Sequence, residues 1–224
     1  MLEARFPTLL RKIASILVPK RYQYFFKETK RYYYLFETIR KMRPKNIMEI
    51  GTWNGKRAEE MLNEAKKFCR PDEITYYGFD LFEEMTKDKF EEELSKFPPA
   101  QDEVLQKLKQ TGANIRLYKG NTLITLPRVA DSLPKMDFIF IDGGHSIQTI
   151  ENDWCYAQEL MGENTIVIFD DYYFDKNDVG AKTVVDKIDR TRFSVEILPI
   201  CDSFQKEWGT LTINFVRVKK PIKS

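Results

Sequence analysis

The chain has 224 residues, of which 42% are hydrophobic and 31% are charged, which is the composition of a globular protein rather than a disordered one. No stretch approaches the roughly 20 apolar residues of a membrane-spanning helix, and the apolar run at residues 13–18 is too short for a span and lacks the cleavage site of a signal peptide. Three widely spaced cysteines and one histidine exclude a disulfide scaffold, a cysteine zinc site and a multi-histidine metal site. This cysteine usage is typical of a cytoplasmic protein.

The first 45 residues differ from the rest of the chain in charge. They carry twelve Lys/Arg and three acids, a net charge of +9, so the remainder of the chain carries −7. A basic, aromatic segment with helical periodicity can lie on an anionic membrane, follow nucleic acid or cap a partner subunit. We expect residues 1–45 to form a helical segment that packs against the domain or against a second copy in a homodimer. Peripheral membrane contact is the alternative, and no nucleic-acid partner is expected because the acidic remainder repels phosphate.

From residue 46 onward, short apolar runs alternate with amphipathic stretches. The predicted strands are residues 46–50, 74–80, 114–119, 137–142, 164–170, 193–200 and 210–217. The first five have the spacing of βαβ units, which predicts parallel pairing, whereas the short connection between the last two predicts an antiparallel hairpin. The sequence therefore predicts an α/β domain over residues 46–224 with a seven-stranded, mostly parallel sheet. Residues 83–112 are predicted to form an inserted flap near the strand ends.

The ends of the first two predicted strands carry acids and glycines suited to a nucleoside. The first strand runs into E-I-G-T-W-N-G, in which Gly51 and Gly55 allow a tight turn but do not fit the G-x-G-x-x-G dinucleotide pattern. Glu49 would repel a pyrophosphate and favour a cationic ligand. Asp80, which ends the second strand, can accept both hydroxyls of a ribose. Together these residues indicate a nucleoside with a cationic group, and S-adenosylmethionine has both features.

Five motifs in order then carry a family resemblance: E-I-G-T-W-N-G, G-F-D, K-G-N-T, F-I-D-G-G-H-S and I-F-D-D-Y. Over residues 40–217 the chain resembles the class I S-adenosylmethionine-dependent methyltransferases, and most of all the metal-dependent small-molecule O-methyltransferases of the macrocin type. The resemblance implies a Rossmann-like fold and O-methylation of a small-molecule or glycosyl acceptor. It implies cofactor binding by Glu49, Gly51, Thr52, Trp53, Gly55, Asp80, Leu81, Gly120, Asn121 and Thr122, although Asn121 stands where the family usually has Asp.

Three carboxylates follow the fourth and fifth predicted strands. Because neighbouring strands lie about 4.8 Å apart, their carboxyl ends should bring Asp142 close to Asp170 and Asp171. Clustered carboxylates repel one another unless a cation or a proton intervenes, and oxygen ligands favour Mg²⁺, Mn²⁺ or Ca²⁺ over zinc. The sequence thus predicts a divalent metal site, most simply for Mg²⁺, and the family resemblance agrees. The alternative is that Asp142 caps the following helix and that Asp170 or Asp171 contacts the cofactor or a backbone amide.

His145 lies three residues after Asp142, in the loop that opens the next helix. An imidazole titrates near neutral pH and could take a proton from a substrate hydroxyl. In the macrocin-type relatives an acid two residues after the metal aspartate is the suspected base, but that position is Gly144 here. His145 and Asp142 are therefore the predicted catalytic residues, and a helix-capping or surface role for His145 is the alternative.

Two other functions compete with a small-molecule methyltransferase. The first is a binding protein that has kept the fold and lost turnover, for which Trp53 in the glycine loop and Asn121 speak. The second is a nucleic-acid methyltransferase steered by the basic segment. Against the second, the chain lacks an N-P-P-Y-type motif and the remainder of the chain is acidic.

Overall fold

The structure, a computed structural model, describes residues 29–93, 96–207 and 209–221. These residues form one sheet of seven strands: β1 (Asn46–Ile50), β2 (Thr75–Asp80), β3 (Asn114–Lys119), β4 (Met136–Ile141), β5 (Met161–Tyr172), β6 (Ser194–Lys206) and β7 (Gly209–Lys219). The helices of the described residues are α1 (Tyr32–Met42), α2 (Lys56–Ala65), α3 (Lys87–Glu92), α4 (Gln101–Lys109), α5 (Thr122–Val129), α6 (Ile147–Leu160) and α7 (Lys182–Asp186). None of them is long and apolar enough to cross a bilayer.

The strand order is β3-β2-β1-β4-β5-β7-β6, and the pairs are parallel except that β7 runs antiparallel to both β5 and β6. The predicted fold class, an α/β methyltransferase-like sandwich with a mostly parallel seven-stranded sheet and a C-terminal antiparallel hairpin, is confirmed. Chain connectivity reverses direction between β1 and β4, and the carboxyl ends of the strands on either side of such a switch point border a crevice. The fold therefore places a ligand site where β1, β2, β4 and β5 end.

The C-terminal hairpin is longer than the sequence predicts. The ladder between β6 and β7 continues to the pair Lys206 and Gly209, after an irregularity between Ile197 and Cys201. The connection predicted as a loop of about ten residues is therefore mostly strand. This extension matters for the site because it carries Asp202, which is buried, to the start of α1.

The core lies on both faces of the sheet. On one face, α1 buries Leu35, Phe36 and Ile39 completely, beside α2 and α4. On the other face, α6 packs Trp154 against the rings of Phe169 and Phe193. The described part of the predicted N-terminal segment thus packs against the sheet, because α1 repeats its apolar residues at helical spacing. Residues 1–28 of that segment lie outside the described residues, and a homodimer or a membrane contact stays a prediction.

Candidate active site

A cavity of about 390 Å³ opens at the carboxyl ends of β1, β2, β4 and β5, within the range of small-molecule sites. Most of the residues predicted from the sequence line it: Gly51, Thr52, Trp53, Asp80, Leu81, Gly120, Asn121, Thr122, Asp142, His145, Asp170 and Asp171. The predicted flap contributes as well, through Met85, Lys89, Glu93 and Lys96. The predicted nucleoside-binding residues and the predicted acid cluster therefore share one cavity.

The loop after β1 has a backbone that only glycine can adopt at its first position. Gly51 has a φ of +94°, and a Cβ there would stand 1.9 Å from the carbonyl oxygen of Asp142. Its N–H donates to the carbonyl oxygen of Phe79 at 2.8 Å, which draws the loop over the end of β2. Trp53 also lies in the left-handed region, and its indole Nε1 donates to the Phe97 carbonyl oxygen at 3.2 Å. The loop is thus fixed between the end of β2 and the flap.

Asp80 ends β2 and holds the same loop from below. One of its carboxylate oxygens accepts the N–H of Trp53 at 2.6 Å, and the other accepts the N–H of Phe82 at 3.1 Å. Burial raises the pKa of Asp80, and these backbone bonds offset part of that rise. Each oxygen keeps a further lone pair, so the carboxylate can still accept two hydroxyl groups from the cavity.

Asn121, on the far side of the cavity, caps a helix. Its side-chain oxygen accepts the N–H of Leu123 at 3.0 Å at the start of α5. Asn and Asp are both strong N-cap residues, so the replacement of the family's usual Asp preserves this local structure. Gly120 and Thr122, its chain neighbours, complete this wall.

Two predicted cofactor residues, Glu49 and Gly55, are not among the residues that line the cavity. Glu49 shares its face of β1 with Ile47, because side chains alternate along a strand, and it is fully buried. Burial raises its pKa to about 8, and the Tyr76 hydroxyl donates to its Oε2. Gly55 packs against α4, where a Cβ would lie 2.9 Å from Val104. Strand alternation and helix packing place these two residues behind the wall of the cavity.

The three predicted acids meet, as expected from the strand order. Asp142, Asp170 and Asp171 each offer a carboxylate oxygen within 4.8 Å of the other two. The pairing of Ile141 with Phe169 puts Asp142 opposite Asp170. Consecutive residues of a regular strand point to opposite faces, but Asp171 has a φ of +54° at an irregularity of β5. This local distortion brings both neighbouring aspartates to the cavity.

A buried arginine, which sequence reasoning did not single out, binds this cluster. Arg31 donates from Nε to Asp170 Oδ1 and from Nη2 to Asp170 Oδ2, both at 2.9 Å, and from Nη1 to Asp202 Oδ2 at 2.9 Å. The Tyr32 hydroxyl adds a bond of 3.2 Å to Asp170. Burial alone would lower the pKa of Arg31, but the adjacent groups, Asp170 foremost among them, together outweigh burial and raise that pKa. Arg31 is therefore a permanent cation between β5 and β6.

His145 is bound at both ring nitrogens. Nδ1 lies 2.6 Å from the carbonyl oxygen of Glu93, and Nε2 lies 2.7 Å from Asp171 Oδ2. Burial lowers the pKa of His145, but the bond to Asp171, the charges of Asp171 and Asp170 and the bond to Glu93 together outweigh burial, and the pKa rises to about 9. At neutral pH the ring is an imidazolium that donates from both nitrogens. This geometry leaves no free nitrogen to take a substrate proton, in contrast to the predicted role of His145 as the base.

Glu93 fastens the flap to the start of α6. Its carboxylate accepts the Ser146 N–H at 2.9 Å, the Ser146 hydroxyl at 3.0 Å and the Thr149 hydroxyl at 2.6 Å. A negative charge is favourable at a helix N-terminus. A Cβ at Gly144 would come within 2.3 Å of Glu93 Oε2, so the flap carboxylate fills the space above this glycine. The flap is thereby a wall of the cavity.

The carboxylates present do not fit a divalent ion as they are arranged. Both oxygens of Asp170 accept from Arg31, and Oδ1 also accepts the Asp171 N–H at 2.6 Å. One oxygen of Asp171 is bound to His145. Only Asp142, among the three acids and within the described part of the chain, has a carboxylate with no hydrogen-bond partner. The predicted Mg²⁺ site stays a prediction, and a cation there would compete with Arg31 for Asp170.

The sheet order and the crevice residues define a fold of the class I methyltransferase type, and solved structures agree. The O-methyltransferase TomG from Streptomyces achromogenes, solved in complex with SAM, is 14% identical at a TM-score of 0.61, with 98% of this chain and 100% of that chain covered. An O-methyltransferase from Bacillus cereus in complex with SAH is 15% identical at a TM-score of 0.53, with coverages of 97% and 94%. A precorrin-6y C5,15-methyltransferase from Geobacter metallireducens is 15% identical at 0.53, with coverages of 83% and 86%. Identities this low show the fold alone.

The sequence itself establishes the family. A methyltransferase-domain family model matches residues 48–172, which is more than half of the chain. The chain therefore belongs to this methyltransferase-domain family, and the resemblance to class I methyltransferases drawn from the five motifs is confirmed. No curated protein matches the chain.

Proposed function

We propose that the chain is an S-adenosylmethionine-dependent methyltransferase that methylates an oxygen atom of a small-molecule acceptor. The observation that carries the proposal is the single cavity in which the Gly51 loop, Asp80 and the acid cluster meet. Structures of the same fold were solved with SAM and with SAH, which supports the cofactor. When bound, S-adenosylmethionine supplies an electrophilic methyl group. Asp80 would hold the ribose hydroxyls, the Gly51–Trp53 loop would adjoin the methionine part, and Gly120–Thr122 would border the adenine.

Asp142 is the proposed catalytic base. It lines the cavity, and within the described residues its carboxylate has no hydrogen-bond partner. Burial, and then the neighbouring charges of Asp170 and Asp171, raise its pKa well above the ordinary value of an aspartate. A carboxylate with a raised pKa is a stronger base, which suits it to take the proton of an acceptor hydroxyl. In this proposal His145 orients Asp171 and does not carry the proton.

The choice of oxygen as the acceptor atom rests on this base and not on the fold. The precorrin-6y C5,15-methyltransferase and the two O-methyltransferases share the fold at similar TM-scores. A hydroxyl acceptor must lose a proton when it is methylated, and Asp142 is placed to receive one. The metal assistance that the sequence predicts has no part in the proposed reaction, because Arg31 and His145 already bind Asp170 and Asp171.

We also propose that the protein works in the cytoplasm. The support is that Cys69, Cys155 and Cys201 are all free thiols, as expected in a reducing compartment.

Calorimetry with S-adenosylmethionine tests the proposed cofactor. Each hydrogen bond to a charged group contributes about 1.5–3 kcal/mol, so Asp80→Ala should weaken binding at least roughly tenfold. Asp72→Ala is the matched control, because Asp72 is an exposed aspartate that pairs with Arg70 and does not line the cavity. A folded Asp80→Ala protein with wild-type affinity would contradict the cofactor assignment. A wild type that binds the cofactor but methylates no hydroxyl compound would favour a binding protein that has lost turnover.

A further inference from the structure

The acid cluster at the ends of β4 and β5 contains its own cation. We infer that Arg31 takes the place of a divalent metal at this cluster and excludes such ions, so that the site works without a metal. The link between this inference and methyl transfer rests on the proposed function. The test of this inference, however, measures metal binding alone, without cofactor or acceptor.

Arg31 and Asp170 form a bidentate pair. The guanidinium of Arg31 makes two parallel bonds of 2.9 Å, one to each oxygen of this carboxylate. A bidentate pair of this kind is strong and directional. A Mg²⁺ ion demands near-ideal octahedral geometry at about 2.0–2.1 Å. An ion bound to the same oxygens would lie beside a buried positive charge that cannot be neutralised, because arginine stays protonated.

Arg31 is held firmly by its surroundings. Its side chain is 7% exposed, and its guanidinium lies 4.8 Å from the ring centre of Tyr32 and 5.4 Å from that of Phe215. Asp202 accepts Nη1 of Arg31 at 2.9 Å and the backbone N–H groups of Lys30 and Arg31 at 2.5 Å and 3.2 Å. Withdrawal of the arginine would leave buried carboxylates unpaired, and that is costly. Metal coordination would have to offset this cost before it could stabilise a bound ion.

The two other acids of the cluster are Asp171 and Asp142. Asp171 is bound to the imidazolium of His145, whose other nitrogen is fixed by the carbonyl oxygen of Glu93. Two of the three acids thus already have a cationic partner from the chain. Of the three acids, Asp142 alone faces the cavity without a cationic partner among the described residues, and a single carboxylate is a weak site for a divalent ion. The arrangement therefore leaves one free carboxylate, that of Asp142, rather than a metal centre.

Electron paramagnetic resonance of free Mn²⁺ tests the inference with the full chain. The wild type should bind no Mn²⁺ at this site. Arg31→Met removes the cation but retains the three acids, so its affinity for Mn²⁺ should be at least about tenfold higher than that of the wild type, because a nearby unit charge is lost. Adding Asp142→Asn to Arg31→Met should abolish the new binding. Arg57→Met is the matched control, because Arg57 lines the same cavity but pairs with Glu60, and it should behave as the wild type.

Two results would overturn the inference. One is Mn²⁺ binding by the wild type that Asp142→Asn removes. The other is a folded Arg31→Met protein that binds Mn²⁺ no better than the wild type. If circular dichroism shows that Arg31→Met is unfolded, the comparison of the wild type with Asp142→Asn decides: no binding by the wild type supports the inference, and binding lost in the variant overturns it. Failure to bind S-adenosylmethionine would contradict the proposed function and leave this result unaffected.

Discussion

The buried pair of His145 and Asp171 should make the stability of the protein depend on pH. The pair joins Nε2 and Oδ2 at 2.7 Å, and the His145 side chain is 19% exposed. His145→Gln retains a side chain that can donate a hydrogen bond but removes the titratable charge. The comparison of this variant with the wild type therefore reports on the protonation of the His145–Asp171 pair.

The size and sign of the effect follow from the pKa of His145. It rises from 6.5 to about 9 on folding, so the folded protein binds this proton more tightly than the unfolded chain. The stability from this proton is fully present below pH 6.5 and is lost as the pH rises through 9. The slope within that window is about 1.4 kcal/mol per pH unit, which amounts to about 3 kcal/mol in all.

Urea unfolding followed by circular dichroism at pH 6, 7.5 and 9.5 measures the effect. The free energy of unfolding of the wild type should fall by about 3 kcal/mol more than that of His145→Gln over this range. Burial also raises the pKa of Glu49 to about 8 and that of Asp153 to about 7, but these groups act in both proteins and cancel in the difference. Parallel pH profiles for the two proteins would refute the reasoning and with it the doubly donating imidazolium.

Three further predictions concern single residues. Asp142→Asn should lower kcat by roughly 10²–10⁴ with little change in cofactor affinity measured by calorimetry, and an unchanged kcat would remove Asp142 as the base. Between pH 4.5 and 8 the free energy of unfolding should fall less steeply in Glu49→Gln than in the wild type, because the folded wild type binds the Glu49 proton more tightly than the unfolded chain does. The same pH slope for both proteins in urea unfolding would contradict the raised pKa of buried Glu49. Gly51→Ala should destabilise the protein by about 2–5 kcal/mol, because its Cβ would lie 1.9 Å from the Asp142 carbonyl oxygen at a φ of +94°, and a wild-type Tm would speak against this close approach.

The strands and the acid cluster could be predicted from the sequence because their signals are local. Apolar runs mark β1 to β5, and parallel strands end at one edge of a sheet, so Asp142 and Asp170 had to be neighbours once β4 and β5 were. The buried position of Glu49 also had a signal. Side chains alternate along β1, so Glu49 and Ile47 face the same layer of helices.

Arg31 had no such signal. It is one of twelve basic residues in the first 45, and its partner Asp170 lies 139 positions away in the chain. Asp202 was hidden because the connection around it was predicted to be a loop. Contacts of this kind depend on how α1 packs against the β6–β7 hairpin, and neither charge pattern nor periodicity predicts that packing. The contacts of His145 could not be predicted for the same reason, because Glu93 reaches it from the flap.

The charge asymmetry of the chain has an internal explanation for the residues that the structure describes. The acidic remainder supplies partners for three of the six basic residues at positions 29–45: Asp170 and Asp202 for Arg31, Glu64 for Arg40 and Glu73 for Lys45. The first of these pairs is buried and directional, whereas the last is exposed and contributes little. Arg31 and Arg40 therefore help to fix α1 on the domain, and Arg31 also balances negative charge at the cavity. A membrane contact by residues 1–45 stays a prediction.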